Sequence, residues 1–187
     1  DGDGACVMSI RICGRFSDDA SAVLTSISVT VPVLDLLVEW HRCGMTADYL
    51  ADYLAYALER RDLARTVIST AANELLENAA KFSSDKRSIV RAEARLRGGA
   101  LELEVDNVTD EGHADRLADL LDAIARGDAS ALFADRLEAR ERGGLGLIVL
   151  AKDYTADLSA RIVQQGGTGA FRVTVRASIA ADEVEQR

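Results

Sequence analysis

The sequence predicts an α+β fold, a two-layer sandwich in which helices cover one face of a mixed, mostly antiparallel sheet. Several short segments alternate apolar and polar residues, which is the period of strands that are half-buried on a core. Two pairs of these segments are joined by tight glycine turns, at Gly98 with Gly99 and at Gly166 with Gly167. Other segments repeat apolar residues at the spacing of helices. Strand pairs of this kind build antiparallel sheets, and the intervening helices cover one face.

Composition limits the classes of function. The chain has 187 residues, which suits one domain, and 48% of them are apolar, enough for a sizeable core. Its 22 Lys and Arg residues against 31 Asp and Glu give a net charge of −9, which argues against a nucleic-acid or anionic-membrane binder. No apolar run is long enough to span a membrane, and no signal peptide is visible. The three cysteines lack metal-ligand spacing, so we expect a cytoplasmic protein with reduced thiols.

The first 60 residues are predicted to be continuous with the domain and to begin with a strand hairpin. Its two strands are the alternating segments 8–13 and 26–31, joined by a turn around residues 17–19. A first helix is then predicted to stop at Gly44. A second helix follows, with Thr46 as its N-cap residue.

A long helix is predicted over about residues 62–82. On one side it carries Glu74, Asn78 and Lys81, which are four and three residues apart and therefore project together. A carboxylate, an amide oxygen and an ammonium group are suited to a proton, a magnesium ion and a phosphate, respectively. On spacing alone these residues equally fit an ordinary solvated face. The apolar face consists of Ile68, Ala72, Leu75, Leu76 and Ala79.

The second half of the chain alternates between strands and a helical insert. A strand predicted over residues 101–105 ends at Asp106. Residues 113–141 are charged and rich in alanine and leucine, and are predicted to be helical and to contribute little to the core. A glycine-rich turn, residues 143–146, then opens a short helix at Leu147. Glycines let backbone N–H groups approach a phosphate, and a helix N-terminus attracts one. A final strand pair precedes a tail that is expected to be frayed from residue 181.

The segment ELLENAAKFS, which begins at Glu74, resembles the N-box of the histidine-kinase-like (GHKL) ATPases. The resemblance implies that Asn78 binds Mg²⁺, that Lys81 contacts a phosphate and that Glu74 is the catalytic general base. Many sensor histidine kinases carry asparagine at the position of Glu74. The chain is therefore more similar to the small anti-sigma-factor and serine-kinase members than to a sensor kinase.

Three further segments resemble the glycine boxes of this superfamily, in the expected order. Asp106 matches the aspartate that accepts the adenine amino group, although the glycines that normally follow closely are replaced by the distant Gly112. Thr168, in the last box, matches a residue that reaches a phosphate or an adenine-bound water. The second box matches Gly144, Leu145, Gly146 and Leu147. The resemblance implies an ATP-binding core over residues 61–180, with a lid at about 109–142.

The resemblance thus implies a regulatory protein that binds ATP and Mg²⁺. Its implied partners are a STAS-domain protein phosphorylated on Ser or Thr, a sigma factor or a response regulator. The alternative is a nucleotide-sensing or catalytically inactive adaptor in a two-component-type signalling pathway, which the missing glycines after Asp106 favour. A detached catalytic domain that phosphorylates histidine elsewhere is disfavoured by Glu74. His41 is interpreted as structural, because no dimerising helical hairpin surrounds it. The sequence leaves turnover and homodimerisation open.

Overall fold

The computed structural model describes residues 9–16, 21–138, 143–166 and 169–186. Along these residues six strands and seven helices follow one another. The strands are β1 (Ile10–Cys13), β2 (Val23–Pro32), β3 (Ile89–Arg97), β4 (Ala100–Asp110), β5 (Asp157–Gln164) and β6 (Ala170–Ala180). The helices are α1 (Val33–Val38), α2 (His41–Ala55), α3 (Arg61–Phe82), α4 (Glu111–Arg126), α5 (Ala129–Glu138), α6 (Leu145–Asp153) and α7 (Ala181–Gln186).

The six strands form one antiparallel sheet in the order β1-β5-β6-β4-β3-β2. The β3–β4 hairpin turns at Gly98 and Gly99, whose positive φ angles of 56° and 80° suit glycine. This hairpin and the β5–β6 pair are confirmed. The predicted N-terminal hairpin is wrong, because β1 pairs with β5 while β2 pairs with β3 at the opposite edge. Alternation shows which face of a strand is buried, but not which strand lies beside it.

The core lies between one face of this sheet and the helices. The predicted apolar face of α3 is buried there, including Ile68 and Leu76, which have no exposed surface. The strands present alternate residues to the same layer, and the buried apolar ones on β3 and β4 are Val90, Ala92, Ala94, Leu96, Leu101, Leu103 and Val105. The two-layer α+β fold is therefore confirmed.

The boundary between α1 and α2 differs from the prediction. Gly44 does not end a helix but lies inside α2, and Thr46 is not an N-cap, because its hydroxyl donates to the carbonyl of Arg42 at 2.8 Å. A glycine inside a helix costs about 1 kcal/mol relative to alanine. Burial of six residues of α2 offsets this cost: Cys43, Ala47, Leu50, Ala51, Leu54 and Ala55.

The described parts of the predicted insert and tail form helices that bury more residues than the sequence suggested. Helix α4 is amphipathic and buries Ala114, Ala118, Leu120 and Leu121, so the first half of the proposed lid belongs to the core. Helix α5 has no buried residue, as expected for a peripheral segment. The tail forms α7, whose Val184 is fully buried. The composition of a short, charge-rich segment does not show that a single apolar residue within it is buried.

The second face of the sheet is polar. Its centre is an ion-pair cluster in which Arg95 donates to Glu102 at 2.6 Å and to Glu104 at 2.5 Å, and Arg176 donates to Glu104 at 2.6 Å. The ring of Phe16 lies 4.1 Å from the Arg176 guanidinium. Paired charges and an aromatic cover explain why both arginines are buried on a face without helices.

Two further expectations concern membranes and thiols. Among the described residues, no helix has the length and apolar character needed to cross a membrane. Cys13 and Cys43 are buried free thiols, and burial raises the pKa of Cys43 to about 11, with a contribution from Glu77. Such thiols are poorly ionised and suit a structural role.

Candidate functional site

The polar side of α3 begins the site. Glu74 and Asn78 lie one helical turn apart, next to the apolar residues that pack on the sheet. The amide nitrogen of Asn78 donates to the main-chain carbonyl of Glu74 at 2.8 Å. This hydrogen bond uses the amide nitrogen and fixes the orientation of the amide. Asn78 lines a cavity, and its amide oxygen is the side-chain atom that can contact a ligand there.

The glycine turn before α6 forms a second wall. Gly144 has a φ of 78° and stands at the N-cap of α6. A Cβ atom at this position would collide with Leu120 Cδ2 on α4. Glycine is thus required here both for its backbone conformation and for the close approach of α4. The turn brings the N-terminal end of α6 to the edge of the cavity.

A cavity of about 620 Å³ lies between α3, β4, β6, α4 and the start of α6. Its apolar wall is formed by Leu75, Ala79, Phe82, Val105, Leu117, Leu120, Leu147, Val173 and Val175. Its polar groups come from Asn78, Asn107, Thr109, His113, Arg116, Asp119, Arg136 and the two glycines 143 and 144. An apolar slot with a few converging polar groups is the usual form of a small-molecule site.

Strand β4 directs neighbouring residues to opposite faces of the sheet. Asn107 lines the cavity and is buried, and its amide nitrogen donates to the hydroxyl of Ser83 at 3.2 Å. Asp106 does not line the cavity, and its carboxylate accepts from Arg172 at 2.8 Å on the polar face. The structure therefore does not place the predicted adenine-binding aspartate at the site. The strand continues to Asp110, so the residue that faces inward here is the asparagine.

Glu74 lies beside the cavity rather than in its wall. A Cβ atom on Gly146 would overlap Glu74 Oε2 and lie 2.7 Å from Cδ, so the carboxylate occupies the space that this glycine leaves. Burial raises the pKa of Glu74, and the charge of Glu77 raises it further. A carboxyl group with a raised pKa, held between α3 and α6, suits exchange of a proton.

The start of α4 is fixed by a local cap. The Asp110 carboxylate accepts from the His113 backbone N–H at 2.9 Å and lies 2.7 Å from the Nδ1 atom of the same residue. These two hydrogen bonds lower the pKa of Asp110. The His113 ring packs against Phe82 with a centroid distance of 5.2 Å. The cap thereby joins α4 to the end of α3 at one rim of the cavity.

Two arginines supply positive charge. Arg116 on α4 and Arg136 on α5 both line the cavity. One nitrogen of Arg136 donates to the carbonyl of Gly143 at 2.6 Å, which ties α5 to the glycine turn. Guanidinium groups are suited to phosphate oxygens.

Of the other predicted site residues in the described part of the chain, one lines the cavity and the rest lie outside its wall. Leu147 lines the cavity, whereas Leu145 and Gly146 lie on the adjoining turn of α6. Lys81 is exposed and lies over the ring of Phe82 at 5.2 Å. Gly112 lies by Arg116 in the first turn of α4 and outside the cavity wall. Thr168 lies outside the described residues.

Sequence reasoning missed Asn107, Thr109, His113, Arg116 and Arg136. A signal for the first two was present, because they continue the alternation of Leu101, Leu103 and Val105 beyond the predicted end of the strand. No comparable pattern distinguishes the arginines, which occur in a segment rich in charge. Their position depends on how α4 and α5 pack against α6.

The sequence matches no model of a protein family and no curated protein. A similar fold occurs in the crystal structure of the SiaB–SiaC complex from Pseudomonas aeruginosa. The TM-score is 0.63 at 20% sequence identity, and the match covers 84% of this chain and 91% of that chain. At this identity the likeness shows a shared fold.

Proposed function

We propose that the chain is a regulatory protein that binds Mg-ATP in the cavity between α3, β4 and α6. One observation carries the proposal. Two segments that resemble nucleotide-binding motifs, the N-box around Asn78 and the glycine turn at Gly144, are far apart in sequence but line the same cavity. If either resemblance were due to chance, there would be no reason for the two segments to line the same cavity.

The residues present fit such a ligand. The amide oxygen of Asn78 is a hard donor that suits Mg²⁺. Asn107 supplies an amide within an apolar slot, where a purine base would be recognised by hydrogen bonds and packing. Arg116, Arg136 and the N-terminal end of α6 would bind the phosphates. The metal ion would supply electrostatic stabilisation of the phosphate charge.

Glu74 is proposed to accept the proton from an attacking hydroxyl or water. Its carboxyl group is one turn from Asn78, and its raised pKa suits proton transfer. General-base catalysis contributes about 10²–10⁴ in rate. Glu74→Gln should therefore lower phosphate transfer or hydrolysis by that factor while ATP affinity stays within a few-fold. A kinetic assay with γ-labelled ATP measures both quantities.

A protein partner is part of the proposal. The chain of similar fold occurs in a complex of two proteins, which supports a role in protein–protein regulation. The N-box resemblance favours a STAS-domain protein phosphorylated on Ser or Thr, with a sigma factor or a response regulator as the other candidates.

A nucleotide-sensing or catalytically inactive adaptor in a two-component-type signalling pathway is the second candidate. The specific observation in its favour is Asp106, whose carboxylate pairs with Arg172 instead of facing the cavity. An adenine site without that carboxylate would depend on Asn107 and on packing. Such a site would bind nucleotide more weakly, because hydrogen bonds to charged groups are about twice as strong as neutral ones.

Calorimetry with Mg-ATP, and with ATP in the presence of a chelator, tests the proposal. The wild type should bind in a Mg²⁺-dependent way, and Asn78→Ala should lose about 10- to 100-fold in affinity. Asn73→Ala is a matched control, because Asn73 lies on α3 but donates to Glu77 at 2.8 Å and does not line the cavity. Equal affinities of the two variants would contradict the proposed magnesium ligand. Absence of wild-type binding at millimolar ATP would contradict nucleotide binding altogether.

A further inference from the structure

Ser83 lies behind the wall of the cavity, at the residue that follows α3. It is buried, and its hydroxyl contacts two groups: the carbonyl of Ala79 at 2.7 Å and the amide nitrogen of Asn107 at 3.2 Å. Asn107 lines the cavity, whereas Ser83 does not. Any influence of Ser83 on a ligand must therefore pass through Asn107.

The two distances show which atom donates in each contact. Hydroxyl donors bond to oxygen at about 2.7–2.8 Å, whereas amide N–H donors bond at longer distances, up to about 3.2 Å. At 2.7 Å, Ser83 donates its single hydroxyl proton to Ala79. With that proton committed, the hydroxyl oxygen can only accept from Asn107. The amide is thus held with its nitrogen toward Ser83.

A flipped amide would bring Asn107 Oδ1 against Ser83 Oγ, two acceptors with no proton between them. Burial makes such a contact costly, and the two residues are only 5% and 3% exposed. The orientation has a consequence for a ligand, because an amide presents an acceptor on one side and a donor on the other, whereas a carboxylate presents acceptors on both. Ser83 therefore decides the order in which the oxygen and the remaining N–H of Asn107 meet a ligand.

Thr109 adds a second acceptor on the same face of β4. Its hydroxyl donates to the carbonyl of Phe82 at 2.6 Å, so its proton is committed in the same way. It is 3% exposed and lines the cavity together with Asn107. This stretch of β4 thus offers two oxygen acceptors and one N–H. A purine with a 6-amino group brings two N–H donors to it, whereas a 6-oxo group brings none.

We propose that Ser83 is a positioning residue that makes the cavity select a 6-aminopurine nucleotide over a 6-oxopurine one. The proposal rests on the nucleotide site proposed above. Asn107 Oδ1 accepts from the 6-amino group, and its free N–H donates to N1 of the ring. In a 6-oxopurine the oxo group accepts and N1 carries a proton, so both contacts would oppose like with like. A flipped amide would match that base, and Ser83 prevents the flip.

Calorimetry with Mg-ATP and Mg-ITP measures this selectivity, because inosine differs from adenosine only at position 6 and in the proton on N1. The wild type should bind ATP at least ~10-fold more tightly than ITP. Ser83→Ala should lower this ratio about 3- to 10-fold, mainly through tighter binding of ITP, because the amide is then free to flip. Ser84→Ala is the matched control and should leave the ratio unchanged, since Ser84 is exposed and its hydroxyl contacts the Val108 carbonyl at 3.4 Å.

Two further variants complete the series. Ser83→Thr keeps the hydroxyl and should restore the selectivity. Ser83→Ala retains the backbone hydrogen bond from residue 83 to the Ala79 carbonyl at 3.1 Å, and circular dichroism verifies that it is folded. If it is not, Ser83→Cys takes its place, because a thiol fills similar space but is a weak donor and a weak acceptor.

Three results would overturn the proposal. Equal affinities of the wild type for ATP and ITP would remove the selectivity while leaving nucleotide binding intact. An unchanged ratio in Ser83→Ala, with both affinities lowered together, would show that the serine only supports the structure. Binding of neither nucleotide by the wild type at millimolar concentration would overturn the role of Ser83 together with the nucleotide site itself.

Discussion

The carboxylate of Glu74 occupies the space that a side chain at Gly146 would fill. An added Cβ atom at residue 146 would overlap Glu74 Oε2 and lie 2.7 Å from Cδ. The glycine therefore allows the carboxyl group of α3 to lie against the first turn of α6. This contact joins the two segments whose sequences resemble nucleotide-binding motifs.

Gly146→Ala should destabilise the protein by about 1–3 kcal/mol, because the added methyl group forces Glu74 to move within a packed site. In a Glu74→Ala background the same substitution should cost less than half as much. Denaturant unfolding of the four proteins in a double-mutant cycle measures the coupling. Equal costs in both backgrounds would show that the carboxylate does not occupy this space.

The raised pKa of Glu74 predicts a pH dependence of stability. Because burial raises the pKa in the folded state above its ordinary value, the folded protein holds a proton that the unfolded chain releases. The free energy of unfolding should therefore fall, relative to Glu74→Gln, as the pH rises from the unfolded pKa through the folded one. Denaturant titrations of both proteins from pH 4 to pH 8 measure this difference. A difference that is constant, or that grows with pH, contradicts a raised pKa.

The two neighbouring glycines of the turn should respond differently to alanine. Gly144→Ala should cost at least about 1 kcal/mol in unfolding free energy, because Gly144 has a positive φ and an added Cβ would collide with Leu120. Gly143→Ala is the control, since a Cβ at that position has open space around it. Thermal unfolding should show a clear loss for Gly144→Ala and little change for Gly143→Ala. The reverse order would mean that the turn is built differently.

Much of the fold was predictable from local patterns. The boundaries of α3 and of the β3–β4 hairpin follow from apolar periodicity and from a pair of glycines, which act over short distances. The partners of β1 and β2 were not predictable, because pairing joins residues that are far apart in sequence. Gly44 was misread as a helix end because its cost is offset by burial against other helices, which the local sequence does not show.

The site was predictable in the same partial way. Asn78 and Gly144 each belong to a recognisable segment, and both line the same cavity, while their roles as ligands of Mg²⁺ and nucleotide stay predictions. Asp106 was expected to lie where the strand ends, but β4 continues to Asp110, and the alternation along it places the Asp106 carboxylate on the polar face. Arg116 and Arg136 reach the cavity only through the packing of α4 and α5, which no short pattern encodes.

The affinity of Mg-ATP for Asn107→Ala and Asp106→Asn tests the central claim most directly. The two residues are adjacent on β4 and face opposite sides of the sheet. Asn107→Ala should weaken Mg-ATP binding by about tenfold or more, while Asp106→Asn should leave it within a few-fold of the wild type. Thermal unfolding of both variants verifies that they are folded. Retained binding by Asn107→Ala together with lost binding by Asp106→Asn would place the nucleotide elsewhere and contradict the assignment of this cavity.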